Sequence, residues 1–466
     1  MNLLKDEVSV LVRKLAIPAS IGTLFQTLYT IVDTFYAGKI SPEALSALSK
    51  SFPIYFIIIA TSIGVTVAGT SLIGSSIGEK NEKNVLSYFG NVIIYAVIIS
   101  FIVSLLGFTF GEKVFLLMNS SNEVTGLGLK YINVIFLGTI LFILVVALNS
   151  FLHAEGDTVT YRNALIFSFF LNIILNPVFI FGFLFIPALG ITGIGVATLI
   201  AQFVSFLIVL RKILINDRIK KITFEYFKVK YFFLKNIFFQ SMPITVAILG
   251  YSVAAAIVFT YVGFSSEYAV AGYGSATRIE QVVLLPILGI NTAIISIIAQ
   301  NIGAKQYKRV EQSYFTSVRY GLYLMLFSGA IVYLTADIIP RFFSSNSDVI
   351  AYGSMYLKIS AFILPAYPIF FLSNGLFMAL KKSEKAMLNN IIRNVIVPIL
   401  SFYIARYINA DFKTFFYIWA IFQWLISLIS AKLKIEVCSS NICFIVLTLR
   451  GFNTVRNLGG RLNFAS

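Results

Sequence analysis

Twelve apolar runs of near-membrane length constrain this chain more than any other feature. An α-helix needs about twenty predominantly apolar residues to cross the hydrocarbon core. Runs of that order lie at 15–38, 51–73, 89–110, 131–152, 164–186 and 193–210, and again at 244–262, 282–299, 320–339, 356–380, 391–408 and 412–433. Barrel strands would alternate polar and apolar residues over about ten positions, and these runs do not. Only 12% of the 466 residues are charged and the mean hydropathy is +0.88, against roughly 25% charged in a soluble domain. The expected fold is an all-α integral membrane protein.

The runs form two sets. At a constant offset of 225 residues, positions 18–80 match 243–305 with 14 identities in 63 gapless pairs. The rarer residues carry the match: Pro18 meets Pro243, Gly38 Gly263, Gly64 Gly289 and Gly78 Gly303, and further on Tyr131 meets Tyr356 and Asn149 meets Asn374. Six helices per half is an even number, so both halves enter the membrane from one side. Two six-helix bundles facing a central cavity are expected, a repeat architecture of secondary transporters. The divisions read from the sequence are an N-terminal lead (1–14), a first bundle (15–210), a linker (211–240), a second bundle (241–433) and an extension (434–466).

Lys and Arg set the orientation, because short positive loops stay in the cytoplasm. Up to Lys413, the N-terminus and the loops after even-numbered helices hold 22 of them, and the loops after odd-numbered helices hold 9. Both termini are therefore expected in the cytoplasm, with the protein in the plasma membrane and the N-terminal lead retained. The net charge of +16 forms no continuous basic face, which points to lipid headgroups and away from nucleic acid. A lone His153, with Cys438 and Cys443 in the tail, cannot assemble a zinc or haem site. No Walker motif and no nucleophile–base pair on neighbouring runs is present, so neither an ATPase domain nor an intramembrane enzyme is expected.

Asp33 is the one carboxylate well inside an apolar run of the first half, where a charged residue costs roughly 2.5–3.5 kcal/mol at the helix centre. Helical steps back from it place Tyr29, Gln26, Gly22 and Pro18 on one face, giving an acid, a phenol, an amide and a potential kink. The alternative is an acid that snorkels to the headgroups near Gly38. The fifth run carries Ser168, Asn172 and Asn176 one turn apart, and the sixth carries Thr198 and Gln202. Convergence of these stripes on Asp33 would build a site; singly, each residue serves equally well as interhelical glue. A lone carboxylate among neutral oxygens can take up a proton as access alternates, or hold a desolvated Na+. In the second half, Arg278, Glu280 and Asn291 are candidates for binding or for the interface, and residues two apart such as Arg278 and Glu280 need not pair. Asp337 and Lys358 are assigned to the interface.

The segments IPASIGTLFQTLYTIVDTFYAGKISPEALSALSKSFPI, NSFLHAEGDT, LNIILNPVFIFG and GINTAIISIIAQNIGAKQYKR resemble the multidrug and toxic compound extrusion (MATE) family, over about residues 10–432. The resemblance implies an H+- or Na+-coupled antiporter, without a cofactor, that expels organic cations and other xenobiotics. It implies a cation-binding role for Asp33, a bend at Pro18, and polar partners at Asn172, Asn176 and Thr198. Many relatives carry a second aspartate in the fifth helix where this chain has Asn176, so Asp33 alone carries the charge. No carboxylate lies between Met242 and Val262, where another branch has an acid, and His153 replaces a loop arginine. Lipophilic or cationic small molecules and membrane lipids are the expected partners, and a monomer the expected state. The alternatives are a flippase for lipid-linked precursors and a non-transporting receptor or assembly protein.

Overall fold

The computed structural model describes residues 1–118 and 120–439, with 433–439 described by backbone alone. The expected extension therefore lies largely outside the described residues, and its apolar stretch 442–449 wholly so. In chain order the helices are α1 (Val8–Ile40), α2 (Pro42–Gly78), α3 (Glu82–Leu117), α4 (Asn122–Leu137), α5 (Thr139–Glu155), α6 (Val159–Phe181) and α7 (Ile191–Leu214) in the first half. The second half follows with α8 (Tyr231–Gly263), α9 (Glu267–Gly303), α10 (Tyr307–Thr335), α11 (Ser347–Ile363), α12 (Ala366–Ala379), α13 (Ser383–Ile391), α14 (Val397–Tyr407) and α15 (Phe412–Ser439).

Among the described residues, ten helical segments are long and apolar enough to span a membrane, and two bent pairs complete twelve spans. The bends fall at repeat-related places: α4 meets α5 at 43° and α11 meets α12 at 54°. The sequence shows each pair as one run, since a bend leaves hydropathy unchanged. Helix starts are locally encoded and also repeat. Ser41 precedes Pro42 and accepts the Ala44 N–H at 3.0 Å, and Ser266 accepts the Ala269 N–H at 3.0 Å. Such N-caps satisfy an otherwise orphan donor.

Each half has its own apolar core, and the two exchange their leading turns. Leu3, Val8, Leu11, Val12 and Leu15 are buried in the core of the second half. Reciprocally, Ile237, at the start of α8, is buried in the core of the first. The bundles meet through α1, α2, α8 and α9, and two glycines show how close they come. A Cβ on Gly78 would stand 1.9 Å from the carbonyl oxygen of Gln300, and one on its repeat partner Gly303 would stand 1.9 Å from that of Ser75. Only a residue without a side chain permits this approach of α2 to α9.

Hydrogen bonds between the halves lie at the terminus-bearing side or mid-helix. They include Gln300 Nε2 to Ala154 O (2.6 Å), Gln240 Nε2 to Ser71 Oγ (3.3 Å), Asn301 Nδ2 to Leu3 O (3.1 Å) and Ser20 Oγ to Pro286 O (3.5 Å). Among the described residues, none joins the outer thirds of α1 and α2 to those of α8 and α9. There Ile31, Phe35 and Val253 are exposed. The hydrogen bonds that join the halves thus gather at mid-helix and on the side of the described N-terminus.

Candidate functional site

Asp33 lies in α1 and is 6% exposed. Its Oδ1 accepts from Asn176 Nδ2 of α6 at 3.0 Å, and its Oδ2 from Thr198 Oγ1 of α7 at 3.1 Å. Asn176 Nδ2 also donates to Asn172 Oδ1 at 2.9 Å, and Asn172 Nδ2 to Thr198 Oγ1 at 3.4 Å. Three helices are joined at one carboxylate by four residues that the sequence places on three stripes, Asn172 and Asn176 sharing one. Hydrogen bonds to an ionised acceptor are stronger than neutral ones, and they offset the cost of keeping a carboxylate out of water.

The local sequence explains the geometry. Asn172 and Asn176 are one turn apart and share a face. Pro177 has no N–H, so the carbonyl of Ile173 loses its helical partner; Tyr36 Oη of α1 donates to it at 3.3 Å. This second tie holds α1 beside α6. Two oxygens at the site are buried with no hydrogen-bond partner, Asn176 Oδ1 and Tyr29 Oη. With the carboxylate and Asn172 Oδ1, the cluster offers a small hard cation several oxygens and no sulfur or imidazole.

Other sequence-selected residues stand apart from this cluster. Gln26 is exposed, and Gln202 is half-buried outside the hydrogen bonds around Asp33. Pro18 is buried within an unbroken α1. His153 lies within α5, not in a loop: it is 7% exposed, and Asn149 Nδ2 sits 3.1 Å from its Nε2. Asp337 and Lys358 form an exposed ion pair at 2.8 Å.

The second-half candidates part company. Arg278 is exposed, without an ion pair among the described residues, and Asn291 is half-buried with an unpartnered Oδ1. Glu280 is 8% exposed and accepts hydrogen bonds from the hydroxyls of Tyr356 and Tyr367. On the other side of Tyr367 lies Arg393, which the sequence reading gives no role. Its guanidinium carbon is 4.7 Å from the Tyr367 ring centre and 4.4 Å from that of Phe370, and its Nε donates to Gln423 Oε1 at 2.6 Å. The repeat offset held an unread signal: it carries Tyr55 onto Glu280 and Thr198 onto Gln423.

Comparison with known proteins places this geometry. The MatE family model matches residues 18–178 and again 243–404, two stretches whose starts differ by the repeat offset and which together cover more than half of the chain. The probable multidrug resistance protein YoeA of Bacillus subtilis is 26% identical over 74% of this chain and 75% of its own length. A FAD transporter of Shewanella oneidensis is 25% identical over 77% of this chain and 79% of its own. A solved structure described as the outward-facing conformation of a multidrug resistance MATE family transporter superposes with a TM-score of 0.87. It is 23% identical and covers 94% of this chain and 97% of its own, which shows the shared fold.

Proposed function

The chain belongs to the MatE family of transporters, and on that premise we propose that it is an antiporter exchanging H+ or Na+ for lipophilic and cationic organic compounds by alternating access. One observation carries the reading: a buried carboxylate shared by α1, α6 and α7, with unpartnered oxygens beside it. The names of its relatives support multidrug export. The lysine-rich loops on the terminus-bearing side support cytoplasmic termini in the plasma membrane. The chain is proposed to work as a monomer, its two halves meeting through α1, α2, α8 and α9.

The coupling follows from what Asp33 holds. Protonation removes the charge that Asn176 and Thr198 stabilise, while a Na+ draws the oxygens of Asn172, Asn176 and Tyr29 toward itself. Either event rearranges the bonds that fix the outer half of α1 to α6 and α7. The inner half of α1 is held differently, by Thr158 Oγ1 to Leu15 O at 3.1 Å and by Ser20 to the second half. Pro18 lies inside the inner zone, between Leu15 and Ser20, and leaves the Lys14 carbonyl without a helical partner, which makes bending there cheap. Cation loading at Asp33 thereby shifts the surface α1 offers to the drug and to the opposite bundle.

The test is efflux of ethidium from proteoliposomes under an imposed pH gradient or an imposed Na+ gradient. One gradient drives flux in the native protein, and Asp33→Asn reduces the driven component at least about tenfold, equal to ~1.4 kcal/mol of coupling. Driven flux that persists in Asp33→Asn places the coupling elsewhere.

A further inference from the structure

The second half contains a buried cation with no acid beside it. Arg393 is 6% exposed, and no carboxylate among the described residues lies within ion-pair distance of its guanidinium. Glu280 is separated from it by the ring of Tyr367, and its oxygens are occupied by two tyrosine hydroxyls. One edge of the guanidinium is satisfied by Gln423. Its faces lie against aromatic rings, which orient the remaining N–H groups in a plane.

The neighbours of that plane are donors too. Asn394 is 4% exposed, and its Nδ2 is buried with no acceptor. Tyr251 on α8 donates its hydroxyl to Asn390 Oδ1 at 3.5 Å, and Gly250 beside it packs on the same stretch, with the Asn394 Cβ 3.8 Å from where a Cβ on Gly250 would be. A π-helical turn at Ile392–Ile396 joins α13 to α14 and buries both Arg393 and Asn394, although consecutive residues of a regular helix point about 100° apart. Such insertions are frequent at functional sites. Tyr251 is half-buried on α8, one of the two second-half helices that meet the first half.

We propose that Arg393 and Asn394 form a subsite for an anionic group, a carboxylate or phosphate, carried by a flat aromatic compound whose ring packs on the aromatic side chains around Arg393. This rests on the transport reading and extends its cargo to aromatic anions and zwitterions. The guanidinium supplies charge and a planar pair of donors, and Asn394 Nδ2 acquires the acceptor it lacks.

Riboflavin and flavin mononucleotide share one ring system and differ by a phosphate, so their binding to the purified protein in detergent, read by flavin fluorescence, isolates the subsite. The nucleotide should bind roughly tenfold more tightly or better, in line with a charge-assisted hydrogen-bonded pair. Arg393→Gln should bring the two to parity and Arg393→Lys should restore part of the difference. Because loss of a buried arginine can unfold the protein, Asn394→Asp provides the second variant: it places a carboxylate against Arg393, keeps the charge paired, and should also abolish the preference. Equal affinity for the two flavins in the native protein, or a preference that survives both Arg393→Gln and Asn394→Asp, overturns the proposal. Displacement of the nucleotide by equimolar inorganic phosphate also overturns it, by assigning the site to a free anion. The readout needs no gradient, so it stands whether or not ethidium efflux proves to be coupled at Asp33.

Discussion

The two halves of this molecule share a backbone plan and carry opposite chemistry at its centre. In the first half the charge is an acid, Asp33, its donors come from α6 and α7, and the unpartnered atoms around it are the oxygens of Asn176 and Tyr29. In the second half the acid, Glu280, is closed off by two tyrosine hydroxyls, and the unpartnered atom beside Arg393 is a donor, Asn394 Nδ2. Tyr131 and Tyr356 are repeat mates, yet the buried acid of each half sits at a different place in the repeat, Asp33 on α1 and Glu280 on α9. On the proposal above, the first half receives the cation and the second does not. Their roles in a transport cycle should separate in the same way.

Removing the acid of the second half is the strongest way to break that comparison. Glu280→Ala leaves two buried hydroxyls without an acceptor and deprives Arg393 of its nearest counter-charge, at a cost of about 3 kcal/mol. Thermal unfolding in detergent should show this loss, whereas Asp33→Asn, which retains an acceptor for Asn176 and Thr198, should unfold close to the native protein. A reversed order would make Asp33 the structural acid.

Next in size is the contact that joins the halves. Gly303→Val places carbon against the Ser75 carbonyl and forces α2 from α9, an overpacking worth about 2 kcal/mol. With Cys438 and Cys443 replaced by serine, a cysteine at Ser71 should then be labelled faster by a membrane-impermeant thiol reagent added from the terminus-bearing side. Unchanged labelling would mean that the terminus-bearing side is not held by this approach.

The smallest effect belongs to an ion pair that only the second half possesses, since the offset places Asn133 at the position of Lys358 and Glu112 at that of Asp337. The Lys358 ammonium and the Ser354 hydroxyl hold Asp337 below the usual carboxylate range. The stabilisation is therefore fully present above the ordinary carboxylate value of about 4 and disappears as pH falls through the lower folded value. Both side chains are largely exposed, so Lys358→Ala should change stability by less than about 0.5 kcal/mol. A larger loss at neutral pH would show that the pair secures α10 to α11.

The sequence discloses the first site because its residues stand out from their surroundings. An acid in an apolar run, and Asn172 and Asn176 one turn apart, are visible to simple helical counting. The second site is concealed by the same averaging that reveals the spans: Arg393 sits in a run whose mean hydropathy hides it, and the π-helical turn that buries it beside Asn394 has no spacing signature. Glu280 was visible as a residue, but its enclosure by Tyr356 and Tyr367 depends on the bend between α11 and α12, which hydropathy does not register. Pro365 at that bend, and the correspondence of Tyr55 with Glu280, were the available clues. The meeting of α2 with α9 was likewise written in the repeated glycines, though only the packed helices show which carbonyl each one admits.

The central claim is that cation coupling resides in the first half, at Asp33. Its most direct test compares gradient-driven ethidium efflux for the native protein, Asp33→Asn and Glu280→Gln at matched reconstitution, the last variant keeping an acceptor for one or both tyrosines. Loss of driven flux in Asp33→Asn with most of it retained in Glu280→Gln is the predicted result. Retained flux in Asp33→Asn together with its loss in Glu280→Gln would contradict the account and move the coupling site to the second half.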